Sequence, residues 1–184
     1  VARVEALEAA RAGLADPETR SAASQLAGVV GTISARLDVP PDLAAAVDAA
    51  LGSWADAYVA TDEAGVLAAA AAFKKAGRGG VAFVTPVAGS SVAARLVSAD
   101  ADCESLVDRL GPAADRALAA TLLGDVVVVG SWLAASELVT AHPEVRAVTI
   151  SGDLVTAAGI VAAHPEGAGP AVIAATTISG TMVM

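Results

Sequence analysis

The chain has 184 residues, enough for one ordinary domain or two small lobes sharing a core, and 55% of them are hydrophobic, which excludes a disordered chain. Its net charge is −9 and its pI near 4.5, so nucleic acid and anionic membranes repel it on average, and DNA contact needs a local basic patch. Its one cysteine, Cys103, excludes an intrachain disulfide and a Cys-built metal site; it reads as a small buried core residue of a protein in the reducing cytoplasm.

Val1 to Ala15 reads as a helix. Val4, Leu7, Arg11 and Leu14 alternate spacings of three and four, which fits a coiled-coil seam and a plain amphipathic helix equally. Asp16-Pro17 ends it. Leu26 to Leu37, β-branched and carrying Gly28 and Gly31, reads as a strand or an extended segment of close backbone approach. Pro40-Pro41-Asp42 opens a helix with Leu43, Val47 and Leu51 on one face and Gly52 as its stop. Ala57 to Thr61 is a short strand, and Asp62 to Ala76 a helix with Val66, Leu67, Ala70 and Phe73 inward. A basic exit loop with Lys74, Lys75 and Arg78 leads to a strand at Val81 to Thr85.

Pro86 to Ser91 reads as a loop and lobe boundary, and Val92 to Cys103 as strand then loop. Helices follow at Glu104 to Leu110 and Pro112 to Leu123. Asp125 to Val129 is strongly β-branched, as a central buried strand is. A helix from Ser131 or Trp132 to Ala141 precedes a strand at Arg146 to Ile150. Ser151-Gly152-Asp153 is a turn, and Leu154 to Ala162 returns as one strand. His164 to Pro170 is a loop and Ala171 to Met184 extended; the uncharged run from Gly167 alternates like strand and is no membrane span. Helices and strands alternate in both halves, so the fold class is mixed α/β or α+β.

Little in the chain supports catalysis. GVVG at Gly28 and GRGG at Gly77 are glycine pairs, not phosphate-binding fingerprints, and no GxSxG occurs. Ser90 and Ser91 lack an obvious base, since both histidines, His142 and His164, precede proline. Asp100, Asp102 and Glu104 read as a solvated acidic loop without EF-hand spacing. The loop after Val129 joins strand to helix, and a small-molecule-binding α/β domain or enzyme using it stands as the alternative. No cofactor or metal is expected.

Three blocks resemble the hinge domain of SMC (structural maintenance of chromosomes) proteins, in the form actinobacteria carry. They are LAGVVGTISARLDVPPDLAAAVDAALGSWADAYVATDEA (Leu26 to Ala64), FKKAGRGGVAFVTP (Phe73 to Pro86) and HPEVRAVTISGDLVTAAGIV (His142 to Val161), the last being the most specific. The chain departs from the family after Ile160, where Val161-Ala-Ala-His-Pro-Glu-Gly stands in place of a Gly-Gly-Ser-like turn, and no second arm follows Met184. Lacking an initial Met, it reads as an excised piece.

The resemblance implies an α+β, two-lobed hinge of short sheets flanked by helices. Residues 1–20 would be residual arm or linker, 21–91 the first lobe and 92–184 the second. It implies a ring-like homodimer, joined head to tail through edge strands at Gly28, Val29, Val30 and Gly31 in one lobe and Gly152, Leu154, Gly159 and Ile160 in the other. Turn or bulge readings remain open for each glycine, most strongly for Gly152. The hinge would link two coiled-coil arms with distant ATPase heads in a cytoplasmic, nucleoid-associated protein of chromosome segregation and condensation. The chain itself has no Walker motif and should hydrolyse no ATP. Lys74, Lys75 and Arg78 are candidates for a weak DNA contact.

Overall fold

A computed structural model of the chain describes residues 17–77, 81–87, 91–97 and 103–162. The expected helix at Val1–Ala15, the loop at His164–Pro170 and the extended segment Ala171–Met184 lie outside these residues. In chain order the elements are α1 (Pro17–Ser24), β1 (Val29–Thr32), α2 (Ile33–Arg36), α3 (Ala44–Leu51), β2 (Tyr58–Ala60), α4 (Glu63–Lys75), β3 (Phe83–Val84), α5 (Val92–Val97), β4 (Glu104–Ser105), α6 (Leu106–Arg109), α7 (Arg116–Leu123), β5 (Val126–Val129), α8 (Trp132–Ala141), β6 (Arg146–Thr149), β7 (Leu154–Thr156) and β8 (Gly159–Val161). They form two compact units that interleave along the sequence.

The first unit takes its described residues from 17–38, 53–87 and 112–121. Its sheet has the order β1-β2-β3, antiparallel then parallel. Three of the chain's five aromatics gather here: Phe83 lies 5.5 Å from Phe73, edge to face, and 6.2 Å from Tyr58, with Ala23, Leu26, Val29 and Val81 packed around them. Thr32 ends β1 by capping α2, its hydroxyl accepting the Ala35 N–H at 3.4 Å. Arg36 then binds Asp115 at 2.6 Å, and the Asp115 N–H donates to the Arg36 carbonyl at 2.8 Å. This two-way clasp ties 112–121 to the first unit.

The second unit takes its described residues from 39–52, 91–97, 103–111 and 122–162. Its sheet has the order β4-β5-β6-β7-β8, parallel only between β5 and β6, which α8 connects. All four valines of β5 are buried. Val127 and Val129 face Ala135 and Val139 of α8, while Val126 and Val128 alternate to the opposite face. On β6 and β7 sits α3, whose Ala46, Val47, Ala50 and Leu51 are buried. Arg146 fastens it: the guanidinium holds both Asp125 oxygens at 2.6 and 2.7 Å and donates to the carbonyls of Ala50 and Leu122, each at 2.7 Å. That explains why 39–52, early in sequence, belongs to the later unit.

Several elements differ from the sequence reading. Pro17 opens a helix of its own, as suits the first helical position. The extended segment expected to Leu37 stops at Thr32 because of the cap just described. Val92–Val97 is helix, begun by Ser91, whose hydroxyl accepts the Ala94 N–H at 3.1 Å. Glu104-Ser105 pairs with β5 before the expected helix starts at Leu106. On α4 the inward stripe is Val66, Ala69 and Phe73, leaving Ala70 outside and Leu67 64% exposed. An apolar Ala-rich helix gives periodicity little contrast to work with. The strand expected from Leu154 to Ala162 is a hairpin, β7 and β8 turning at Ala157-Ala158. The chain passes between the units at 38/39, 52/53, 111/112 and 121/122 as well as between 87 and 91.

Candidate dimer interface

A strand at a sheet edge exposes backbone N–H and C=O groups that another strand can satisfy. Among the described residues, β1 and β3 are the edges of the first sheet, β4 and β8 those of the second. The strands β3 and β4 are stubs of two residues, and β4 carries the charge of Glu104. In contrast β1 has four residues and β8 three, with neither charge nor proline in VVGT or GIV. Each presents an apolar side chain, Val30 at 44% exposure and Val161 at 45%. The two edges with least protection against pairing thus fall one in each unit.

The interface candidates divide on local geometry. On β1, Val29 pairs with Ala60 and Gly31 with Val59, so Val30 is the extra residue of a bulge. Gly31 has φ +135°, and a Cβ there would meet no described atom within 4 Å. Gly159 opens β8 with φ +148°. Gly28 and Gly152 are accounted for inside the chain. Gly28, φ +86°, sits in a turn that the Val29 N–H closes on the Leu26 carbonyl at 3.1 Å. Gly152, φ +92°, is buried in the turn between β6 and β7, where a Cβ would stand 3.1 Å from the Ala45 carbonyl oxygen. Around it Thr149 Oγ1 bonds Asp153 at 2.9 Å and accepts the Asp153 N–H at 3.0 Å. Val29, Leu154 and Ile160 are half-buried. Val161 is absent from the sequence-derived set, although strict alternation from Ile160 marks it as outward.

The remaining candidates have structural employment or lie outside the described residues. Lys74 and Lys75 are exposed in the last turn of α4, where positive charge favours the helix end; Arg78 is not among the described residues, nor are Ser90, Asp100, Asp102 and His164. Ser91 Oγ also donates to the Gly124 carbonyl at 2.7 Å. Glu104 pairs with Arg109 at 2.7 Å, and His142 Nδ1 lies 3.6 Å from Glu144. Among the described residues no group of three metal-ligating side chains converges. After Val129, Ser131 spends its hydroxyl on capping α8, accepting the Ala134 N–H at 3.2 Å. Cys103 is buried in the core of the second unit.

Residues 26–139 match the family model for the SMC proteins' flexible hinge domain. The chain belongs to the SMC hinge family. Of solved structures, this hinge resembles the SMC hinge domain of Geobacillus stearothermophilus, crystallised as an asymmetric dimer, with TM-score 0.65 and 27% identity over 85% of its length. Two Pyrococcus furiosus SMC hinge structures each give TM-score 0.61 at 25% identity. One carries an extended coiled coil and is matched over 87% of this hinge; the other is the hinge domain alone, matched over 94%. The hinge spans 65% of the Geobacillus chain and 60% of the longer Pyrococcus one, but 94% of the shorter. A search of curated proteins found no match. The small sheets with packed helices are those of the family, as the resemblance implied. No described helix is long and apolar enough to cross a membrane.

Proposed function

We propose that the chain homodimerises as the hinge of an SMC protein, β1 of each copy pairing with β8 of the other. The observation that carries this is the uncharged, apolar edge in each unit. Two unlike edges on one chain are both satisfied when two copies meet about a two-fold axis, with neither of the two left to propagate. Gly31 and Gly159 leave the approaching backbone free of Cβ atoms. The dimer of the Geobacillus hinge, named as such in its crystal form, supports the same reading. In the whole protein the hinge would join two coiled-coil arms to distant ATPase heads, serve chromosome segregation and condensation at the nucleoid, and itself turn over no substrate.

Light-scattering mass is the test. At tens of micromolar, a range set by the usual affinity of standard-size interfaces, wild type should weigh two chains of 17.9 kDa, and Val161→Asp should weigh one while keeping its circular dichroism. A wild-type monomer overturns the reading. A weak DNA contact at Lys74, Lys75 and Arg78 accompanies it, supported by the exposure of both lysines. Changing all three to Glu should abolish salt-sensitive binding to duplex DNA; binding left intact places the contact elsewhere.

A further inference from the structure

The second unit holds a cavity of about 360 Å³ between α8 and the β7–β8 hairpin, lined by Ser136, Val139, Thr140 and Pro143 on one side and by the hairpin from Val155 to Ile160 on the other. We propose that this groove receives the partner's Val30, which makes it the specificity pocket of the dimer; the inference rests on the dimer reading above. Val155 and Ile160 are direct cross-strand partners, so both point to the α8 face of the sheet. A strand added along β8 would continue the pleat, and its residue level with Ile160 would lie over the groove. The groove is therefore continuous with the edge assigned to pairing.

Val30 has the properties of the occupant. It is the extra residue of the β1 bulge, the device by which a strand re-aims one side chain. Val29 packs into its own unit's core, whereas Val30 remains 44% exposed on the edge assigned to pairing. It is short, apolar and stiff at χ1, so burying it orders little that is not already ordered. The lining offers apolar surface from Val139, Pro143, Val155 and Ile160 and no ionisable group.

The test is a double-mutant cycle on the dimer dissociation constant. Val30→Ala should weaken the dimer on the order of a hundredfold, because two methyl groups leave an apolar pocket at each of the two equivalent contacts. Thr140→Trp, at an exposed position on the groove wall, should weaken it by a similar factor, and the two together should cost less than the product of the singles. Ala158→Trp is the second way to fill the groove should Thr140→Trp fail to fold. Leu67→Ala, at an exposed site on α4, should leave the constant unchanged. A wild-type dimer indifferent to Val30→Ala and to groove filling, as when a small apolar ligand or another protein holds the groove, overturns the inference while the dimer stands. Singles that multiply independently also overturn it. A wild-type monomer overturns the dimer reading itself.

Discussion

Gly152 shows how a glycine can be required without any partner molecule. Its φ of +92° costs an L-residue about 1–2 kcal/mol, and a Cβ would press on the Ala45 carbonyl oxygen at 3.1 Å. Gly152→Ala should therefore lower stability by about 2 kcal/mol, read as a shift in urea midpoint. The same change should leave the dissociation constant of whatever remains folded unaltered. Asp115 supplies the second residue-scale prediction. Its hydrogen bond from Arg36, helped by the Leu118 N–H, holds its carboxyl below the ordinary aspartate range. A carboxyl lowered on folding stabilises the protein above its unfolded pKa, and that contribution is lost as pH falls through the folded value. Wild type should lose more stability than Asp115→Asn on acidification below about pH 4, and parallel acid profiles would remove the Arg36 clasp as the cause.

At the scale of elements, the helix starts follow from single hydroxyls and carboxylates. Thr32, Asp62 and Ser131 each cap the helix that follows, and all three precede it directly in sequence. Ser131→Ala should cost about 1 kcal/mol through α8, checked by thermal melting, without altering the sheet. The edge strands make a different prediction. Outward amides of β1 and β8 should exchange quickly with deuterium in dilute monomer and slowly in dimer, while those of central β5 stay protected in both. Equal rates for β8 in the two states would contradict edge pairing. Strands were readable where β-branched residues run together, as in Val126–Val129. The α4 face was not, because alanine occupies inward and outward positions alike and only the contact with β2 and β3 selects Ala69 over Ala70.

For the whole molecule, charge sets the conditions of assembly. Two chains of −9 each must approach closely, so added salt should tighten the dimer as screening shortens from roughly 30 Å at 0.01 M toward 8 Å at physiological ionic strength. Sedimentation at low and moderate salt measures this; a dimer that weakens with salt would point instead to attractive ion pairs across the interface. The same charge opposes DNA on average, which is why any contact near Lys74 and Lys75 should be weak.

Composition, the helix starts at Asp62 and Ser131, the β5 valines and the three blocks that resemble the hinge were enough to mark a mixed fold, two of its helices, one central strand and the family, because these depend on neighbours in sequence; the helices begun by Thr32 and Ser91 were read as extended. Gly152 was legible as a turn residue in Ser151-Gly152-Asp153, but which of Gly28, Gly31 and Gly159 lie on an edge strand was not readable, since they look alike until φ and the atoms beside each are known. The interleaving of the units was equally hidden. It depends on Arg146 reaching Ala50 and on Arg36 reaching Asp115, pairs 96 and 79 residues apart that only the folded chain brings together.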